Sequence, residues 1–310
     1  MAYIGIDGVH CTIVFKKQLT YIQQIDKNLK NSDGTTYGNV KTRGEHTKLR
    51  FNIPLMLRDT NMIPYGLSDK EQLPYIKTKL LIDLNNIFGD KIKAIIPNAI
   101  EINITKQLKE AKTHEIIKLL SLSFVEYDKQ LLVWMTKGDD ADYMKTTGML
   151  SITKVNDYRL KVYDKSEQIN QTSDYIAKGN ILRFELIVQG RRIKKTYGNN
   201  CTLFDVLENI EPLIDVFKEK TNGEIKNKVK RFLAESKELM FEELTLGKKP
   251  IEVFGKYKNI IIDRKQMRLA LKRYYEFKGA QDQSKALAKR LSDKFDVSSG
   301  VIREFNSLFE

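Results

Sequence analysis

The sequence predicts an α+β fold, an antiparallel β-sheet region followed by a mostly helical C-terminal region. Two observations carry that reading. Between residues 94 and 188, strand-like segments recur at 94–105, 131–135, 149–155, 158–164 and 181–188, with helical patterns between some of them. After Thr202 the alternation gives way to apolar residues at helical spacing, which predicts helices over 203–210, 224–240, 264–277, 284–295 and 298–308. The change of character places a boundary near residues 212–222 and divides the chain into 1–215 and 216–310.

Taken in order, Ala2–Ile6 and His10–Phe15 read as a hairpin closed by Asp7-Gly8, a favoured turn pair because glycine accepts positive φ. "GIDG" lacks the third glycine and the following helix of a dinucleotide fingerprint. Residues 26–47 are polar and turn-rich and read as an exposed loop. Thr47–Pro54 returns to alternation, with Leu49, Phe51 and Ile53 on one face. Ser68 through Phe88 predicts a helix capped by Ser68 or Asp69, with Tyr75, Leu80, Leu81 and Leu84 available to its buried side. Pro74 delays its start by a turn, since proline suits a first helical position better than an interior one.

In 94–105, Ile100, Ile102 and Ile104 alternate with Glu101, Asn103 and Thr105, which sets a carboxylate opposite an isoleucine stripe. Lys109–Leu120 predicts a helix, Gly138-Asp139-Asp140 a loop, and Asn156-Asp157 a two-residue turn. The last two predicted helices, joined by a short turn, have the outline of a helix-turn-helix, an outline common in any helical bundle.

With 310 residues and 41% hydrophobic content the chain can bury a sizeable core. A net charge of +13 points to a polyanionic partner, nucleic acid before membrane, although a lysine-rich host proteome gives the same excess. Cys11 and Cys201 are too few and too far apart for a disulfide framework or a zinc site. The N-terminus lacks a signal-peptide pattern, and no run approaches the roughly 20 apolar residues of a membrane span, so a cytoplasmic, membrane-free protein is expected. No Walker loop, zincin helix or nucleophile elbow is present.

The chemistry concentrates in two strands. In Arg159–Lys165, Leu160 and Val162 face one way while Lys161, Tyr163 and Lys165 face the other. In Ile181–Val188, the apolar face is Leu182, Phe184, Leu186 and Val188, with Arg183 and Glu185 opposite. A tyrosine, a lysine, an arginine and a glutamate can therefore meet on the open face of one antiparallel sheet, which supplies the parts for cutting a phosphodiester through a tyrosyl intermediate. A phenol of ordinary pKa near 10 is a weak nucleophile at neutral pH. A nearby ammonium such as Lys165 and a polarised phosphate would favour the phenolate. The alternative nucleophile is Tyr197, beside Lys194 and Lys195.

Glu101 and Glu185 are the candidate metal ligands, for Mg2+ or Mn2+, which take hard oxygen donors and keep several waters. Either glutamate could equally lie on a solvated sheet face. The histidines, His10, His46 and His114, form no His-hydrophobe-His pair, and His46 reads as a surface residue that could join the site only from a neighbouring strand. The basic run Arg191, Arg192, Lys194 and Lys195, with Arg183 before it, is the candidate DNA-binding segment. Arg264, Arg268 and Lys272 form a basic stripe at helical spacing that either tracks phosphates or faces water.

The runs "RLKVYDKSEQI" and "NILRFELIVQGRRIKKTYGNNCTLFDVLENI" resemble the gene II/X replication endonucleases of filamentous phages and their plasmid relatives. The resemblance rests on an ordered set: Tyr163-x-Lys165, the strand holding Arg183-Phe184-Glu185, a basic segment, and a Leu203-Phe204-Asp205 helix start. It spans roughly residues 45–215 and is good over 158–210. One departure is that the family's Arg-Ile-Asp becomes Ala99-Ile100-Glu101 here. The resemblance implies a rolling-circle replication initiator that nicks and rejoins one strand through a 5′-phosphotyrosine on Tyr163. It implies origin DNA as substrate, single-stranded or supercoiled duplex, in a bacterial host cell whose helicase and polymerase complete replication. The alternatives are a non-enzymatic origin-binding protein and a metal-dependent nuclease that uses water.

Overall fold

The computed structural model describes residues 4–17, 24–44, 46–58, 62–109, 112–124, 131–135, 149–154, 158–172, 180–277 and 283–308. The expected turns at 138–140 and 156–157 lie outside them. Nine strands form one sheet: β1 (Ile4–Phe15), β2 (Asp26–Lys30), β3 (Thr36–Arg43), β4 (His46–Asn52), β5 (Ile92–Gln107), β6 (Leu131–Met135), β7 (Met149–Lys154), β8 (Tyr158–Asp164) and β9 (Ile181–Gln189). Their spatial order is β2-β3-β4-β1-β5-β9-β8-β7-β6, and every neighbouring pair is antiparallel. The α+β class and the helical C-terminal region stand as the sequence predicts.

The expected N-terminal hairpin is instead one continuous strand. Ile6 pairs with Ile102 and Val9 with Ile100, so Asp7 and Gly8 together oppose Glu101 in a β-bulge. A turn would need the two halves of β1 to pair with each other. Both pair with β5 instead, because that register puts Ile6 and Val9 on the isoleucine side, where each is at most 1% exposed. Gly8 leaves room for the Glu101 carboxylate, since a Cβ there would stand 2.5 Å from Glu101 Oε2 and displace it.

The expected loop at 26–47 contains β2 and β3, which bury Leu29, Tyr37 and Val40. Their short, lysine- and asparagine-rich sequence hides the alternation, and Asp33 closes the turn between them by accepting from the Thr35 amide at 2.8 Å. Ile53, expected on a strand, instead opens the short helix α1 (Ile53–Arg58), where Asn52 Oδ1 accepts from the Leu55 amide at 2.8 Å.

Helix α2 (Leu73–Phe88) follows a 3-10 turn, with Pro74 in its first turn. It buries Ile76, Leu80, Leu84 and Phe88, while Tyr75 is exposed. Helix α3 (Thr113–Phe124) starts four residues later than expected, where Glu115 accepts from the Lys112 amide at 2.7 Å. Then come α4 (Lys165–Thr172), α5 (Gly190–Tyr197), α6 (Leu203–Glu208) and α7 (Glu211–Lys218). A π-helical turn (Glu219–Ile225) leads into α8 (Lys226–Thr245), followed by α9 (Pro250–Lys256), α10 (Arg264–Phe277), α11 (Gln283–Lys294) and α12 (Val301–Ser307).

The isoleucine side of the sheet and residues of α2, α3, α6 and α7 share one apolar core. That core continues through Ile225 and Val229 and takes in Ile262, Val301, Phe305 and Leu308. The expected boundary at 212–222 therefore falls inside the first core, while a second core lies among residues 240–297. Among the described residues no helix is long and apolar enough to cross a membrane.

Candidate active site

The other side of the sheet carries the polar residues of four adjacent strands. Register alone brings them together: Lys161 is opposite Glu185, Tyr163 opposite Arg183, and Asn103 opposite Glu185. The bulge in β1 adds Asp7 against Glu101. The carboxylates of Asp7, Glu101 and Glu185 each present an oxygen within 4.8 Å of the others.

Each carboxylate has a basic partner. Arg183 Nη1 pairs with Asp7 Oδ2 at 3.0 Å, Lys161 Nζ with Glu185 Oε1, and His10 Nε2 lies 3.3 Å from Glu101 Oε1. Asn52 donates to Asp7 Oδ1 at 2.7 Å, and Arg183 Nε donates to Thr105 Oγ1 at 2.9 Å. The Tyr163 hydroxyl donates to Glu185 Oε2 at 3.2 Å.

This face is not open at its centre. Arg183 is 0% exposed, Lys165 2%, Glu185 4% and Tyr163 9%. Helix α4 packs against β9, with the Ile181 amide donating to Ser166 Oγ at 2.9 Å. Asp164 accepts from the Glu167 amide at 3.1 Å and so fixes the start of α4, which carries Lys165 directly after the tyrosine strand. Lys165 Nζ donates to Gln168 Oε1 at 2.7 Å.

Burial sets the protonation of the cluster. It raises the Asp7 carboxyl, against the opposing pull of the Arg183 guanidinium. It also raises Glu185, to which the Glu101 charge adds and which Lys161 opposes. Burial pushes Glu101 the same way, but the His10 hydrogen bond and the Lys161 charge bring it below its ordinary value. The Tyr163 phenol is pushed up by burial and by the Glu185 charge. Lys165 is pulled down to about 8 by burial and by Arg183.

The sequence-predicted residues Tyr163, Lys165, Glu101 and Glu185 thus share one polar cluster. Arg183 belongs to it too, but as a buried partner of Asp7 rather than on a DNA-facing surface; the expectation that it contacts DNA is corrected by its 0% exposure. Arg191, Lys194 and Lys195 are exposed on α5, and Arg192 pairs with Glu219 at 2.7 Å. Helix α5 buries Ile193 in the apolar core and packs against β5 and β9. Tyr197 donates to the Asn209 carbonyl at 2.8 Å, and His46 is exposed at the start of β4, opposite Arg43.

Sequence reasoning missed Asp7, His10 and Asn52. Asp7 was masked by the turn chemistry of Asp7-Gly8, and only the β1–β5 register reveals that it faces Glu101.

The three carboxylates are the residues that could hold a hard divalent cation. Asn103 tests the fit. It is 0% exposed, neither its Nδ2 nor its Oδ1 has a hydrogen-bond partner among the described residues, and it stands beside Glu185 in register. A buried amide of that kind next to three acidic oxygens suits a hydrated cation, whose water can satisfy both groups.

No protein-family model matches the chain, and no curated protein matches it. Among solved structures, a rolling circle replication initiator protein from Geobacillus stearothermophilus aligns with 68% of this chain and 80% of its own. The TM-score is 0.35 and the identity 8%. The overlay is loose, and the residues of the cluster carry the chemistry that follows.

Proposed function

We propose that this protein is a rolling-circle replication initiator, a site-specific single-strand DNA endonuclease that nicks and rejoins origin DNA with Tyr163 as nucleophile. The observation that carries the reading is the Tyr163 hydroxyl hydrogen-bonded to Glu185 within a three-carboxylate cluster. Tyr163 Oη attacks the scissile phosphorus while its proton passes to Glu185 Oε2. The P–O3′ bond breaks, and O3′ leaves with the bonding pair and takes up a proton. Lys165, with a pKa of about 8, can give up that proton near neutrality. The 5′ end stays on the tyrosine as a phosphodiester, so the reverse attack by a 3′-OH reseals the strand without ATP.

Asp7, Glu101 and Glu185 would hold Mg2+ or Mn2+, which supplies charge neutralisation and polarises the phosphate. Arg183 pairs with Asp7 against the burial that raises its carboxyl, and His10 fixes the Glu101 carboxylate. The exposed cations of α5, Arg191, Lys194 and Lys195, bind the strand backbone, and host helicase and polymerase act on the product. The 5′ polarity and the origin role rest on the family resemblance of residues 158–210.

The raised phenol favours one competing reading, a metal-dependent nuclease in which water attacks. Denaturing electrophoresis of labelled origin oligonucleotide incubated with protein and Mg2+ decides between them. A covalent protein–DNA adduct that disappears in Tyr163→Phe supports the tyrosyl route. Cleavage without an adduct, undiminished in Tyr163→Phe, refutes it.

A further inference from the structure

Away from the carboxylate cluster, the helical region holds an open cavity of about 390 Å3 between the start of α10 and the start of α12. Arg264, Lys265, Arg268 and Arg303 line it, with Asp263 as the acidic member. The Asp263 charge is already spent inside the fold. At 3% exposure, it accepts from the Lys265 amide at 2.7 Å through Oδ1 and from the Ile302 amide at 3.0 Å through Oδ2. One buried carboxylate thus clamps the two helix starts together beneath the cavity.

The expected stripe Arg264, Arg268 and Lys272 is only partly available. Arg264 pairs with Asp293 at 3.1 Å and Lys272 with Glu276 at 3.5 Å. Lys265 and Arg268 are exposed and have no ion pair among the described residues. Arg303 comes to the same cavity from α12, so the positive charge is assembled by tertiary packing rather than by one helix face.

The cavity is tied to the strand that carries Glu101. Lys106, at the end of β5, donates to Ser307 Oγ at 3.0 Å, and the Lys109 amide donates to Glu304 Oε1 at 2.6 Å. Val301 and Phe305 of α12 are buried in the sheet's own core. A ligand held here is therefore fixed relative to the cleavage cluster.

We propose that this cavity binds the phosphate backbone of duplex DNA beside the strand to be cut, which rests on the function proposed above. Among the described residues the lining is cations on two helices with Asp263, Ser299 and Gly300 between them, and no aromatic ring or side-chain amide. It is open rather than enclosed, which suits a backbone passing over it. Phosphate contacts of this kind position a duplex without reading its sequence.

The test uses the full chain in EDTA, so that binding is measured without cleavage and is independent of Tyr163. Fluorescence anisotropy of a labelled duplex is followed across a salt series for wild type, for Lys265→Gln/Arg268→Gln/Arg303→Gln, and for Lys272→Gln. Each lost phosphate contact lowers the slope of log K against log salt by about 0.9, so the loss of Lys265 and Arg268 in the triple variant should lower it by at least about 1.8 and the affinity by at least roughly tenfold near 0.1 M salt. Lys272→Gln should stay within about twofold of wild type, because its charge is already paired.

Single-strand cleavage by the triple variant should be unchanged. A wild-type slope in the triple variant overturns the proposal. So does an equal loss in Lys272→Gln, which would make the effect one of net charge. Inorganic pyrophosphate titrated into the wild type separates a small-anion site from a backbone site: pyrophosphate binding abolished by the triple variant, with duplex binding intact, also overturns it. Melting temperatures confirm folding, and Arg268→Gln alone, expected to lower the slope by about 0.9, serves if the triple variant fails to fold.

Discussion

Arg183→Met removes one half of a buried ion pair. The guanidinium is 0% exposed and the Asp7 carboxylate 4%, 3.0 Å apart. Methionine fills much of the same volume but leaves Asp7 charged, buried and short of its strongest partner. Breaking a buried pair from one side costs about 3–5 kcal/mol. For a chain of 310 residues that corresponds to a fall of roughly 5–8 °C in Tm. Asp7→Asn should cost a comparable amount by stranding Arg183. The double variant strands neither charge, so it should be more stable than the sum of the singles by at least about 1.5 kcal/mol. The Arg183→Met deficit should shrink as pH falls into the carboxylate range, because a protonated Asp7 needs no cation. Urea unfolding in EDTA, with equal m-values for all four proteins, measures the cycle. Arg183→Met within about 1 kcal/mol of wild type, or strictly additive singles, would refute the buried lock. So would a loss of DNA affinity in Arg183→Met at unchanged stability, which would restore Arg183 to a DNA-contacting role.

Three further outcomes are expected. Glu185→Gln should abolish the Mn2+-induced stabilisation, expected for one site in the wild type to be about 2.7 kcal/mol at a hundredfold excess over Kd. Because the folded Glu185 carboxyl lies above its unfolded value, the charged form costs stability as pH rises through the folded pKa; the metal-free variant should therefore gain on the wild type toward neutral pH, and a variant that loses ground would reverse this sign. Gly8→Ala would bring a Cβ to 2.5 Å from Glu101 Oε2 and displace that carboxylate, so it should weaken Mn2+ binding measured by calorimetry with little loss of stability; unchanged affinity would mean that Glu101 is not a ligand. A chain ended at residue 216 should fail to fold, since it strips Phe217, Ile225, Val229, Val301, Phe305 and Leu308 from the first core at about 1.5–3 kcal/mol each; a cooperative melt by circular dichroism would show that the sheet stands alone.

The sequence by itself determined the elements whose evidence is local. The alternation in Tyr158–Asp164 and Ile181–Gln189 placed Lys161, Tyr163, Arg183 and Glu185 on one face, and the antiparallel register of β8 and β9 keeps them there. The helix over Arg264–Phe277 was legible from its spacing alone. Side-chain period is a property of a few consecutive residues, so it survives without knowledge of the rest of the chain.

Tertiary structure decided what lies opposite what. Asp7-Gly8 is a turn pair by local chemistry and a bulge in the fold, because pairing both halves of β1 with β5 buries Ile6 and Val9 against the isoleucine stripe. That pairing brings Asp7 to Glu101, and the pairing of β5 with β9 then brings Arg183 beside them. Burial was equally out of reach: the polar face looked solvated, yet Arg183 and Asn103 are each 0% exposed in the folded chain. The end of the chain shows the same limit. Val301 and Phe305 mark an amphipathic helix in the sequence, but nothing local says that α12 returns to the core of the sheet. Long-range contacts are selected by the free energy of the whole packed chain, and a local pattern records which face must be buried but not against which partner.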